Sequence, residues 1–576
     1  MGAPTLPLPN PPAMLRGEQS SPAPHAITLL ALGALAVIGC AADPAVRAFP
    51  DRAIAWQEHD SEDVPRPPKQ TDLGELDSML IMRDDVAGEV DRAFALEGEH
   101  PARDVNAADE VPCSTWFCPR NHLAPMTPAA IAAGPAGIPP RLPLRIVKGK
   151  DRGAALGFQV VDADGRKFLL KLDPTRHLGL STTAEITGTR LYHAAGYNVP
   201  ANFLLELGPD DLVVDPHATF KLYDVRKRAL TADIVRERLA LAARNPDGRI
   251  RAVAVSWLPG KVLGAFDMKG RRTDDPNDRI GHEQRRSLRA SWLLAAWLAI
   301  FDSSAINTLD AYVEENGRHF VRHYIIDFGA GLGSATNDVK GPNDGGQHVV
   351  EFGRTLASAL SLGIYQRHYQ GERPDWTNVV SAHPALGWFP AEEFDVEAFR
   401  TNRKVPAHKR MDDRDAYWGA KLVTSFTDAQ LTAVAAAARL DPGEAAYLVK
   451  ALAARRDIIG RRYLAAMTAV EAPSVSGDAS GARLCFDDLA VTRGYAEASR
   501  VRYHVAIGDD RGRRLGETTV AAQGTRSCVP VPDVSAGYRV IAISAELAQA
   551  NGEWRRAKTT RVHVRNGRVV GLERDE

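Results

Sequence analysis

At 576 residues the chain is long enough for about two or three domains, each with a sizeable core. Its 71 Lys and Arg nearly cancel its 72 Asp and Glu, giving a formal net charge of −1. No basic field of the kind that holds nucleic acid is present, and none that points to an acidic substrate. Beyond residue 39 no apolar run is long enough to cross a bilayer.

Residues 26–39 read AITLLALGALAVIG, an uncharged run too short to span comfortably and suited to the core of a signal peptide. Arg16 precedes it in a long, Pro-rich leader that also contains Met14, a second candidate start. The run ends in Val37-Ile38-Gly39-Cys40, which resembles the lipobox of bacterial lipoproteins. The resemblance implies a signal peptide over 1–39, diacylglycerol on the Cys40 thiol and a membrane-anchored place in the cell envelope. Ala41 follows the cysteine where Asp would signal retention, which favours the outer membrane. The alternative is an ordinary secretory signal followed by a chance cysteine.

Four further cysteines remain, an even number for an oxidising compartment. Proximity favours Cys113–Cys118 and Cys485–Cys528. Zinc is the competing reading, but neither pair has a C-x-x-C or H-x-x-x-H partner nearby. Residues 40–142 are rich in Pro, Ala, Asp and Glu, with one modest helical stretch over 73–94, and read as a tether partly ordered around CSTWFC.

From residue 143 the pattern changes. LRIVKGKDRGAALGFQVVDADGRKFLLKL predicts two or three strands with turns at KGKDRG and DADG. A helix over 182–195 and strands over 202–207 and 251–258 follow, making a strand-rich lobe over 143–262. Residues 280–475 are mainly helical. Leu288, Trp292, Ala295 and Ala299 predict one amphipathic helix over 285–301, with Arg285, Arg286 and Arg289 on a solvated face. A hairpin, AYVEENGRHFVRHYIID, turns at Glu315-Asn316-Gly317. Thr427 to Gln430 and Asp441-Pro442-Gly443-Glu444 are helix starts. In the last hundred residues Val501, Tyr503, Val505 and Ile507 alternate with polar residues. A second hairpin signal, at Asn566-Gly567, completes a β-sandwich over 478–576, a surface for a protein or glycan partner.

One set of residues runs through this order. Lys171 ends a strand, Glu185 opens the next helix, Asp302 follows the long helix, Asn307 comes five residues later, and Asp327 ends the hairpin in Asp327-Phe328-Gly329. Phosphoryl transfer needs such a set: a lysine on the phosphates, a glutamate to aim it, a carboxylate to orient the attacking hydroxyl, and an Asn and an Asp for magnesium. The Asp-x4-Asn spacing with a later DFG resembles the protein-kinase-like superfamily. The hairpin between Asn307 and Asp327, and the helix leading into GYNVP, are similar to its atypical branch of HipA-type, phosphatidylinositol, spore-coat H-type and secretory-pathway kinases. The resemblance covers about residues 144–470. It implies ATP and Mg2+ as cofactors and Gly149, Gly153 and Gly157 over the phosphates. Ile300-Phe301 stands where His-Arg usually precedes the catalytic Asp, and the glycine spacing is irregular; the atypical branch tolerates both.

Two rival motifs stand beside this set. YIIDFGAGLG resembles the cofactor loop of S-adenosylmethionine methyltransferases, but that loop needs a helix after its glycines, and SATNDVKGPNDGGQ is hostile to one. His319 and His323 share a strand face, an arrangement that serves packing more often than metal. The expected fold is therefore α+β: a two-lobed kinase-like domain with a β-rich N-lobe and a helical C-lobe, plus a C-terminal all-β sandwich. The expected function is transfer of a phosphoryl or nucleotidyl group to a hydroxyl. The alternative is a non-catalytic binding or scaffold lipoprotein, since the bacterial periplasm is not expected to hold an ATP pool.

Overall fold

In the strand-rich part, the short apolar-rich runs LRIVKG, GFQVV and KFLLKL build β1 (Leu144–Gly149), β2 (Gly157–Val161) and β3 (Lys167–Leu172) as antiparallel neighbours. The Asp162 carboxylate accepts the N–H groups of Asp164 and Arg166, folding DADG into the β2–β3 turn with Gly165 at φ 83°. After β3 comes α1 (Leu180–Ala195). Its first turn is tied down by buried Asp173, whose carboxylate accepts the N–H groups of Gly179, Ser181 and Thr182. Then follow β4 (Asn202–Leu207), β5 (Leu212–Lys221), β6 (Lys227–Ala229) and β7 (Ile250–Ser256). The sheet order is β4-β7-β3-β2-β1-β5-β6, with β3 between β2 and β7. The structure is a computed structural model and describes residues 47–72, 76, 80, 83, 100–150, 155–221, 226–340, 382–477, 481–531, 534 and 537–575. Cys40, Gly153 and most of the helix expected over 73–94 lie outside the described residues.

A second, three-stranded sheet runs β10-β9-β8, made of β8 (Lys261–Gly264), β9 (Thr308–Glu315) and β10 (Arg318–Ile325). Its hairpin turns where expected, with Asn316 at φ 52° and Gly317 at φ 73°, the left-handed pair that a two-residue turn requires. The single helix expected over 285–301 is instead broken. One turn over Arg286–Arg289 is followed by α2 (Ser291–Trp297), and Ala299 ends the run at φ 52°. Tertiary hydrogen bonds override the periodicity: the Leu298 carbonyl accepts from Leu332 N–H and the Phe301 carbonyl from Asn402 N–H. Helices α3 (Asp413–Val423), α4 (Asp428–Ala437) and α5 (Pro442–Tyr463) follow. Thr427 and Asp441 serve as the expected N-caps of the last two.

The arginines expected on a solvated face are fully enclosed, a correction to the sequence reading. Arg285 and Arg289 are 0% exposed. Arg286 pairs with Asp109 at 2.7 Å and Asp415 at 3.0 Å, and Arg289 with Asp415 at 3.0 Å. Arg285 lies 4.4 Å over the Trp116 ring. Several of these partners come from residues 47–142, the stretch whose composition suggested a tether. Its described residues pack into the core instead: Phe117 is fully buried between Tyr197 and Trp418, and Trp116 stacks on His323. Large aromatics and paired carboxylates outweigh the Pro-rich composition here.

The C-terminal part is a two-sheet sandwich that begins at Val470, ahead of the expected boundary. Strands β11 (Val470–Ser476), β12 (Arg483–Asp488), β13 (Val501–Asp509), β14 (Arg514–Ala521), β15 (Arg526–Pro530), β16 (Tyr538–Ala548), β17 (Trp554–Arg556), β18 (Thr560–Arg565) and β19 (Arg568–Arg574) form it. Sheet β11-β12-β15 packs Leu484, Phe486 and Val529 against Tyr503, Val505, Ile541 and Val562 of the larger sheet. Cys485 and Cys528 sit opposite one another on β12 and β15 and are bonded, with Cα atoms 4.0 Å apart. Cys113 and Cys118 are bonded as well, so neither pair is a zinc site. The α+β class with an added all-β domain is the one expected. The described residues from 47 onward belong to one compact unit.

Candidate functional site

Lys171 stands on β3 with Gly157 on one side and Val253 on the other. Glu185 lies in the second turn of α1. The loop between them is closed by Asp173, which fixes the helix against the strand. Lys171 Nζ lies 2.9 Å from Glu185 Oε2 and 2.8 Å from Asp327 Oδ1. The lysine and glutamate side chains are 6% and 2% exposed, whereas that of Asp327 is 37% exposed. One ammonium thus bridges two carboxylates, and Asp327 is the member that faces solvent.

Asp327 follows β10 at φ 63°, a left-handed conformation that costs a non-glycine residue roughly 1–2 kcal/mol. Two contacts hold it there. Phe328 is buried against Gly188 and lies 4.8 Å, centroid to centroid, from the Tyr192 ring of α1. A Cβ on Gly329 would come within 2.7 Å of Ser181 Oγ, so only glycine lets the chain run this close to the helix.

The electrostatics follow from the geometry. Burial works against the Lys171 ammonium, but Asp327 and Glu185 together outweigh it and hold its pKa well above the usual lysine range. Burial pushes the Glu185 carboxyl up, with Lys171 opposing. For Asp327, burial is outweighed by the Lys171 and Lys150 charges and the Gly329 N–H, so its pKa is lowered. Lys150 was not anticipated from the sequence. Its own pKa is lowered by burial, and Nζ reaches the Ala155 carbonyl at 3.2 Å across the β1–β2 loop.

That loop is the one flanked by Gly149 and Gly157. Lys150 N–H bonds the Gly157 carbonyl at 3.1 Å. Both glycines have packing reasons of their own: a Cβ on Gly149 would come within 2.8 Å of Phe220 Cβ, and one on Gly157 would overlap the Leu170 carbonyl oxygen. Because Gly157 is the register partner of Lys171, the loop emerges beside the lysine.

Asp302 and Asn307 occupy the turn between α2 and β9. Asn307 Nδ2 donates to the Asp302 carbonyl at 2.8 Å, and the Asn307 carbonyl accepts from Ile326 N–H at 3.0 Å. The turn is thereby tied to the segment that delivers Asp327. Asp302 Oδ1 accepts from Asn402 Nδ2 at 2.6 Å. Asn402 is a hundred residues away, and no sequence motif marks it.

Among the described residues no three His, Cys, Asp or Glu side chains cluster as a metal site. Magnesium does not demand one: it keeps much of its water and takes one or two protein oxygens beside phosphate oxygens. The partly exposed Asp327 carboxylate is such a hard donor, and Asn307, with Nδ2 engaged, has Oδ1 as its acceptor, so the residue types fit that ion.

The rival motifs resolve differently. After Asp327 the described residues to 340 form turns and no helix, and the preceding strand is the second arm of a hairpin, not the start of a βαβ unit. His323 bonds Asp310 at 2.6 Å beneath Trp116, and His319 lies 3.4 Å from Asp63 at the surface. The two histidines share no ligand set.

No family model and no curated protein matches the chain. Two solved structures of the Golgi casein kinase, one with Mn/ADP bound, match it at 10% identity. Each covers 56% of this chain and 73% of its own, with TM-scores of 0.27 and 0.28. Likeness at that level carries no argument about activity.

Proposed function

We propose that the Lys171–Glu185–Asp327 cleft is the nucleotide site of an atypical kinase-like domain that transfers a phosphoryl or nucleotidyl group from ATP to a hydroxyl. The observation that supports this reading is the ammonium bonded at once to a helix glutamate and to the Asp of an Asp-Phe-Gly turn. A fixed cation is what nucleotide phosphates require. In this reading Lys171 neutralises phosphate charge and Glu185 aims it. The loop of Gly149, Gly153 and Gly157 covers the phosphates. Asp327 and Asn307 hold Mg2+, which when bound supplies charge neutralisation at the phosphates. Asp302 orients the acceptor hydroxyl by accepting its hydrogen bond, once its own bond from Asn402 is shared or exchanged.

The test is a thermal-shift titration of the chain from residue 41 with ATP and Mg2+ or Mn2+. A metal-dependent stabilisation is expected, lost in Asp327→Ala. Asp302→Ala should keep the shift and abolish transfer. No shift at millimolar nucleotide would sink the reading. The Asn402–Asp302 bond favours a second reading, a non-catalytic protein that keeps the fold for binding; a nucleotide shift with no transfer to any hydroxyl acceptor would support it.

We propose further that Cys40 carries diacylglycerol and anchors the protein at the outer membrane, with the β-sandwich facing a protein or glycan. The motif Val37-Ile38-Gly39-Cys40 supports the anchor, and two disulfides suit an oxidising compartment. Cys40→Ser should abolish lipid labelling and move the protein out of the membrane fraction; a variant that still carries lipid would refute the anchor.

A further inference from the structure

Where the end of α5 meets the edge of the C-terminal sheet, the structure leaves a cavity of about 360 Å³. That is within the range of about 300–1,000 Å³ common for small-molecule sites. Three arginines line it: Arg461 from the last turn of α5, Arg500 just ahead of β13, and Arg555 on β17. Among the described residues none of the three has a carboxylate at ion-pair distance. All three arginines are solvent-exposed, so the site is open to a ligand from solution. Glu497 is the acidic residue of the lining, so its fixed charge is positive by two. Leu547 and Val501 supply an apolar floor.

Two of the arginines are pre-positioned. Arg500 donates one NH2 hydrogen bond to the Ala548 carbonyl at 2.8 Å, and Arg555 donates one to the Ala465 carbonyl at 3.0 Å. A guanidinium carries five N–H donors in a rigid fork. With one edge held by backbone, the remaining donors are available without the entropy of ordering a loose side chain.

We propose that this cavity binds a small organic anion through a phosphate or carboxylate group held by Arg500 and Arg555, with Arg461 closing the third side. The fork geometry matches both kinds of oxyanion. The site is separate from the Lys171 cleft and does not rest on the nucleotide reading.

The experiment is calorimetric titration of the chain from residue 41 with two probes, inorganic phosphate and glucuronate. At least one should bind, and which one binds identifies the oxyanion. Arg500→Gln and Arg555→Gln should each weaken that binding roughly tenfold or more, since each removes a charge-assisted hydrogen bond. Glu497→Gln should strengthen it by removing repulsion. Arg511→Gln, on an exposed turn of the same domain, should leave it unchanged, which separates the site from general surface charge. Circular dichroism of each variant checks folding. Binding of neither probe at millimolar concentration overturns the proposal. So does binding that survives both arginine substitutions, or that falls equally in Arg511→Gln.

Discussion

A single ammonium held between two carboxylates is a cooperative unit. Glu185 is nearly inaccessible, and its charge is tolerable there only because Lys171 is 2.9 Å away. Replacing Lys171 by Met keeps the length of the side chain and removes the charge, leaving Glu185 and Asp327 facing one another. Breaking a buried pair in this way costs about 3–5 kcal/mol. The pH dependence has a definite sign. The Glu185 pKa is already raised by burial, and losing the lysine raises it further. The folded variant then holds a proton that the unfolded chain releases above its ordinary carboxylate pKa, so stability falls as pH rises above that value. Urea denaturation of Lys171→Met should therefore show a larger deficit at pH 8 than at pH 5, and Lys171→Met/Glu185→Gln should recover part of it. An equal deficit at both pH values would mean the pair is not coupled as described. That these three residues meet was legible from chain order, because a strand-end lysine, a helix glutamate and a post-hairpin aspartate are local features. Asn402 and Lys150 were not legible. Asn402 reaches Asp302 from a distant irregular segment, and Lys150 is one of two closely spaced lysines, with Lys148, at a polar turn.

Secondary-structure elements transmit that geometry. The two hairpins were readable because Asn316-Gly317 and Asn566-Gly567 specify left-handed turns within two residues. The break in the helix over 285–301 was not, because the groups that end it, Leu332 N–H and Asn402 N–H, lie far along the chain. Gly188 illustrates the same limit. In the sequence it is a weak point in a helix, costing about 1 kcal/mol relative to Ala. In the fold, a Cβ there would lie 2.5 Å from Phe328 Cβ. Gly188→Ala should gain that propensity and lose about 1–3 kcal/mol to overpacking, for a net fall in stability. Phe328 adjoins Asp327, so on the proposed nucleotide reading the variant should also lose the thermal response to nucleotide and metal. A Gly188→Ala protein that is more stable and responds normally would show that α1 and the Asp-Phe-Gly turn are not in fixed register.

At the scale of the whole molecule, composition misjudged residues 47–142 because single-residue statistics do not register pairing. The acidic residues that suggested a solvated tether neutralise buried arginines elsewhere. Asp109 is the clearest case. It accepts from Arg286 in the helical part at 2.7 Å and from Arg574 at the end of β19. Arg574 continues to the Val470 carbonyl at 2.8 Å and to Glu471 at 3.1 Å. Lys421 of α3 then bonds Glu471 at 2.6 Å and also pairs with Glu110. One network therefore ties the N-terminal stretch, the helices and the sandwich, and each link is a charge that burial penalises if its partner leaves. Such a molecule should not melt in pieces. Asp109→Ala leaves both Arg286 and Arg574 short of a partner, so it should cost about 3–5 kcal/mol. Scanning calorimetry should show the helical part and the sandwich shifting down together. A fragment beginning at residue 143 lacks Asp104, Asp109 and Glu110 and should lose cooperative unfolding. If Asp109→Ala instead splits the transition, with the sandwich melting at its original temperature, the network is only a contact between independent domains.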